Sequence, residues 1–235
     1  KWYGGLYGWT WPHGFSNMIA ALFDAGTNAF LLTRDADYLD LPRSQIDGLL
    51  ELAHLMMDQH READGVPYLK EAWRVLPQHT NPRMAASVAC AELRLRLWCT
   101  SGHGDRVGQL TDDELIHTMD AGLFSSSDPA GQVQSAVFKG SLAAARGDED
   151  GVRRHGLQAR EEVERAGTDF MIGRPDIAVA LLDVLQKGGL DETAAALHDR
   201  WRRAVRARAA SIEDRRLRES YREAPLIRAL SDAIT

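Results

Sequence analysis

The sequence predicts an all-α fold: antiparallel helical hairpins stacked as a solenoid or as a partial α/α toroid, behind an irregular aromatic N-terminal segment. Three observations carry this. Apolar residues recur at i, i+3, i+4 and i+7 through Ile46, Leu49, Leu50, Ala53, Met56 and Met57, and the stretch beyond Pro82 reads as helical to the end of the 235 residues. Alternating β-branched runs, the mark of half-buried strands, are almost absent. A glycine followed by an acid separates successive helical stretches at Gly104-Asp105, Gly147-Asp148 and Gly188-Gly189-Leu190-Asp191, 43 and then 41 residues apart. A period of this size suggests stacked helix hairpins, each turn combining a glycine C-cap with an acidic N-cap.

The elements follow in order. Residues 1–15 read as loop, because Gly4, Gly5, Gly8, Pro12 and Gly14 interrupt Trp2, Tyr3, Tyr7, Trp9, Trp11 and Phe15. Ser16 is a possible N-cap for a mostly buried helix to Leu32, and residues 33–37 form a polar connector. A helix beginning near Pro42 carries Ile46, Leu49, Leu50, Ala53, Met56 and Met57 on one face. Gly65, Pro67, Pro77 and Pro82 cut residues 63–82 into short pieces, with Val66–Tyr68 and Trp73–Leu76 as extended segments or single turns. The organisational break is placed here, giving an aromatic-rich part at 1–62, a linker at 63–82 and a helical-repeat part at 83–235.

Beyond Pro82 the helices become regular. Ala85–Trp98 is rich in Ala and Leu, with Glu92, Arg94 and Arg96 as its polar side. Thr111-Asp112-Asp113-Glu114 is a capping box that opens a short amphipathic helix. Further helices are expected from Asp128-Pro129 to Ala145, from Glu149 or Asp150 to Ala166, and over Pro175–Gln186, Asp191–Ala210 and Asp214–Glu223.

Composition bounds the function. Charged residues at 26% and apolar residues at 44% are ordinary for a globular chain, and the net charge of −6 argues against general nucleic-acid binding. The two cysteines, Cys90 and Cys99, fall on opposite sides of one helix and read as buried free thiols of a reducing, cytoplasmic compartment. No apolar run reaches the ~20 residues that cross a membrane, and no signal peptide is visible. The chain starts at Lys1 without Met, which reads as a fragment or a processed chain.

Two resemblances rest on quoted residues. Ala143-Ala144-Ala145-Arg146-Gly147-Asp148, Leu185-Gln186-Lys187-Gly188-Gly189-Leu190-Asp191 and the tail from Ala209 to Tyr221 make residues 83–230 resemble divergent tetratricopeptide-like domains. Such domains stand at the C-terminal end of large bacterial regulators and signalling ATPases. The resemblance implies a protein- or peptide-binding module. Lys1–Trp9, Trp11-Pro12-His13-Gly14, Thr27–Thr33 and Asp37-Tyr38-Leu39-Asp40 make residues 1–52 similar to α/α-toroid proteins of the six-hairpin glycosidase type. In those folds aromatic and carboxylate residues on loops at one end of the toroid face a sugar.

The ligand-facing candidates are therefore Tyr7, Trp9, Trp11, His13 and Asp24. Aromatic faces stack on sugar C–H surfaces, and the same rings can equally fill a junction between helix ends. Glycoside cleavage needs two carboxylates about 5–9.5 Å apart. Asp24, Asp35, Asp37 and Asp40 are available, with Asp24 the unusual acid on an apolar helix and Asp37 and Asp40 suited to capping. His54 and Asp58, with His60 beyond them, read as an exposed polar helix face because no third zinc ligand follows at a recognisable spacing. No metal and no cofactor are expected. Nine arginines between Arg200 and Arg222 are interleaved with acids and read as a solvated face laced with i, i+4 pairs. The expected function is a protein–protein interaction module, the alternative a carbohydrate-binding or glycoside-cleaving toroid fragment.

Overall fold

The computed structural model describes residues 46–78, 82–99, 107–123 and 129–232. Tyr7, Trp9, Trp11, His13, Asp24 and the other acids before Asp47 lie outside the described residues, as does the expected turn at Gly104.

The described chain is helical, with no strand. The helices are α1 (Ile46–Asp58), α2 (Glu62–Val75), α3 (Pro82–Trp98), α4 (Asp112–Leu123), α5 (Pro129–Arg146), α6 (Glu149–Ala166), α7 (Thr168–Gly173), α8 (Pro175–Lys187), α9 (Asp191–Ser211), α10 (Arg215–Glu223) and α11 (Pro225–Ser231). Helices α1 and α2, α3 and α4, and α5 and α6 form the most extensive pairs, and α8 packs on α9. The first helices of these pairs also touch in sequence order, α1 on α3, α3 on α5 and α5 on α8.

The turns explain why the pairs fold back. At α5–α6 the Asp148 N–H reaches the Ala143 carbonyl at 2.9 Å, and the Gly147 N–H reaches Ala144 at 3.2 Å. At α8–α9 the Leu190 N–H bonds Leu185 at 2.9 Å, and the Gly189 N–H bonds Gln186 at 3.0 Å. Both are Schellman ends with glycine left-handed, at φ 72° and 66°. The α1–α2 turn repeats the pattern, Arg61 N–H to Met56 at 2.8 Å and His60 N–H to Met57 at 3.1 Å. There a histidine holds the left-handed position, at φ 55°. A Cβ disfavours that conformation by roughly 1–2 kcal/mol. His60→Gly is therefore expected to raise stability, and Gly147→Ala, which meets nothing within 4 Å, to lower it by a similar amount. Urea unfolding of the two variants checks both signs.

The expected acidic N-cap holds at only one of these turns. The Asp148 side chain accepts from the Gly151 N–H, whereas the cap at the second turn is Leu190, with no side-chain bond, and Asp191 lies in the first turn of α9. The Thr111 capping box forms as expected, its backbone N–H donating to Glu114 at 2.7 Å and its hydroxyl accepting from the Glu114 N–H at 3.3 Å. Helices α7 and α11 were not anticipated. Each is short, and α11 begins at Pro225 directly after α10.

Residues 62–75 correct the expectation of short irregular pieces: they form one helix through Pro67. Only the bond to the Ala63 carbonyl is forgone at that proline. Packing supplies the stability, because Leu69 and Ala72 are fully buried and a Cβ at Gly65 would stand 3.1 Å from the Ala53 carbonyl of α1. Leu69 and Ala72 share a core with Leu49, Ala53, Val88, Ala91 and Leu95, so α1, α2 and one side of α3 bury together. The other side of α3, through Ala89, Cys90 and Leu93, enters the larger core with Phe138, Leu181 and Trp201.

Candidate functional site

Helix α3 positions the chemistry. Every residue from Val88 to Leu95 is buried, so the helix has solvent on no side there. Its charges consequently point into protein. Glu92 and Arg96 are one turn apart and share a side; Arg94 points the other way.

On the first side, Glu92 is wholly buried. It accepts from the Trp73 indole N–H of α2, from Arg96, and from the Gly108 N–H at 3.0 and 3.1 Å. Arg96 also donates to Asp112 at 2.6 Å and to the Leu110 carbonyl at 3.0 Å. A side chain at position 108 would come within 2.8 Å of the Glu92 carboxylate, so only glycine lets the connector approach. This cluster pins residues 107–112 between α2 and α3.

On the second side, Arg94 joins three elements. Its Nη2 donates to Asp58 of α1, its Nη1 lies 3.1 Å from His54 Nδ1, and the same Nη1 is 3.5 Å from Asp176 in the first turn of α8. Arg174, just before α8, holds Asp176 through two bonds, Nε at 3.0 Å and Nη2 at 2.9 Å. The Arg94 and Asp176 side chains are 8% and 7% exposed; Asp58 and Arg174 form a rim at 43% and 37%.

Charge fixes the protonation pattern. A guanidinium can only donate, so His54 Nδ1 is an acceptor and the ring proton sits on Nε2. Desolvation, then the charges of Arg94 and Arg174, push the His54 pKa down to about 3. Desolvation raises the Asp58 carboxyl above its ordinary value, outweighing Arg94. Burial also pushes Asp176 up, but Arg174, Arg94 and His54 together reverse this and hold it below the carboxylate range.

The pH dependence follows. Between about pH 6.5 and 3 the unfolded chain protonates His54 and the folded chain does not, so stability falls as the medium is acidified across that window. Asp176, depressed when folded, adds to the loss once the pH drops below its unfolded value near 3.9. Asp58, raised when folded, works in the opposite direction. His54→Gln, which keeps an acceptor but does not titrate, is expected to flatten the decline in Tm between pH 6.5 and 4.

The expected exposed polar face at His54 and Asp58 is thus corrected: His54 is half-buried and both residues are tied to α3. The expectation that Glu92, Arg94 and Arg96 form the polar side of their helix is corrected as well: all three side chains are turned into protein, and the partners Arg174 and Asp176 carry no mark in the sequence. Cys90 is buried and free, and Cys99 is half-buried and free; burial pushes their thiols to about 12 and about 11. The arginine-rich end forms the anticipated i, i+4 pairs at Arg203–Asp199 and Arg215–Glu219, while Arg200 instead reaches Glu164 on α6, 36 positions away.

One open cleft, about 550 Å³, lies against α1 and α2. Met56, Pro67 and Tyr68 line it, with the Arg61–Asp64 pair and Glu71 at its edge. No group of three or more His, Cys, Asp or Glu among the described residues is placed to hold a metal, and no described helix is long and apolar enough to cross a membrane.

A family model described as a domain of unknown function, DUF8034, matches residues 1–96, which ends within α3. No curated protein and no solved structure gives a significant match.

Proposed function

We propose that the chain is a non-catalytic module of stacked helical hairpins that offers its outer faces to a protein or peptide partner, as tetratricopeptide-like arrays of bacterial regulators do. The observation that carries this reading is the use made of the buried charges. Arg94, Asp176, Glu92 and Arg96 are bonded to groups of the chain itself, and those bonds join one hairpin to the next. The in-order packing of α1, α3, α5 and α8 supports a solenoid or an arc of a toroid. Crosslinking followed by mass spectrometry tests it: crosslinks from a partner to the exposed faces of α6, α9 or α10 are expected. Recovery of uncrosslinked monomer alone would contradict it.

A second reading, carbohydrate binding, draws on the cleft beside Tyr68. Its volume falls within the range of small-molecule sites, and it combines one aromatic ring with carboxylates and a guanidinium. A glycan array with the intact chain, then with Trp9→Ala, Trp11→Ala and Tyr68→Ala, decides it; no glycan bound by the intact chain removes it.

A further inference from the structure

Helix α6 packs on α5 and α8, with α7 at its end. Its buried side is made of Gly151, Val152, Gly156, Ala159 and Val163. At about 100° per residue, Asp150, Arg154, Leu157, Glu161 and Arg165 fall on the opposite side, within a sector of about 80°. All five are exposed. A groove of about 450 Å³ runs along this side, and every residue lining it belongs to α6. Leu157, midway along the row, is one of two exposed large apolar side chains among the described residues. Asp150 and Arg154 stand one turn apart but form no ion pair, and the same holds for Glu161 and Arg165. Among the described residues only Arg165 of these four has an ion-pair partner, Glu162 at 2.8 Å, and it stays 56% exposed.

Along the helix this row reads negative, positive, apolar, negative, positive. Turned end for end it reads positive, negative, apolar, positive, negative, the complement of itself. We infer that the outer face of α6 docks a second copy of this chain, the two α6 helices lying antiparallel about a two-fold axis near Leu157. In such a contact residue i meets j while j meets i. Arg154 then faces Glu161 of the second copy, Asp150 faces Arg165 of the second copy, and the two Leu157 side chains adjoin at the axis. A parallel pairing in register sets like charges against each other, which is unfavourable. A partner of one charge sign satisfies only half of the row. The row is about 22 Å long at 1.5 Å per residue, which is small against a standard interface, so the dimer is weak and salt-sensitive. The inference goes beyond the interaction-module reading and does not depend on it.

Sedimentation velocity of the intact chain, from about 10 µM to about 1 mM at about 50 mM salt, tests it. A monomer–dimer equilibrium is expected, several-fold weaker at about 500 mM salt. Arg154→Glu alone and Glu161→Arg alone each set two like-charge pairs across the axis, so each variant is expected to dimerise at least tenfold more weakly. An equimolar mixture of the two variants sets opposite charges at both places, so it is expected to recover the dimer. That recovery separates the contact from any loss of fold, as do unchanged circular dichroism spectra, expected because both positions are exposed. Leu157→Ser is expected to weaken the dimer several-fold. Monomer at every concentration, a dimer indifferent to these variants, or no recovery in the mixture would overturn the inference. A foreign protein crosslinked to α6 while the chain itself stays monomeric would also overturn it and leave the module reading standing. Dimer crosslinks through α6 with no foreign protein captured would support it and count against the module reading.

Discussion

Glu92→Ala is expected to cost the fold about 3–5 kcal/mol, the range for removing one partner from a buried ion pair. The carboxylate is wholly buried and receives hydrogen bonds from three segments: the α2 indole, Arg96 and the backbone at Gly108. Its removal leaves Arg96, 7% exposed, with Asp112 as its remaining carboxylate, and leaves the Trp73 N–H without an acceptor. Urea unfolding measures the loss, with the midpoint falling and the m-value unchanged. Glu92→Gln separates charge from shape: it retains an acceptor for Trp73 and Gly108, so it is expected to lose less. A drop below about 1 kcal/mol for the alanine variant would place the cluster among the weak surface pairs.

Arg94→Ala is expected to cost a similar amount, again about 3–5 kcal/mol, by a different route. Arg94 is the only described cation bonded to both Asp58 and His54, and it is within 3.5 Å of Asp176. Its loss separates α1 from the start of α8 at this point. Asp176 keeps its two bonds from Arg174, so the penalty concentrates on α1. Arg94→Lys restores charge but not the planar fork that reaches three groups, so partial rescue is expected. A double-mutant cycle between Arg94→Ala and Asp58→Ala isolates the pair; a coupling of about 1 kcal/mol or more is expected, and additive losses would contradict a joined cluster.

How far the sequence could be read depends on which signals are local. Helices with one-sided apolar stripes, such as α1 and α8, and caps such as Thr111 and Asp148, show in spacing and residue type, because the physics that forms them acts within a few residues. Residues 62–75 did not, because Gly65 and Pro67 are locally helix-breaking and only contact with α1 offsets them. The α1–α2 turn did not either, since a histidine holds a conformation that glycine usually marks. The ionic site escaped for a third reason. His54 and Asp58 looked like a solvated face, and their partners are 36 to 40 positions away in sequence on α3. One signal was available: in Ala85–Trp98 the charges at 92, 94 and 96 fall on opposite sides of an otherwise apolar helix. A helix with no polar face is buried all round, and its charges then require internal partners.

Native-state hydrogen exchange is the most direct test that Glu92 and Arg94 bind the hairpins into one cooperative body. The amides of α1, α3, α5 and α8 are predicted to open together, with one shared free energy equal to that of global unfolding. Exchange of α1 and α2 at a markedly lower free energy, while α5 and α8 stay protected, would contradict it.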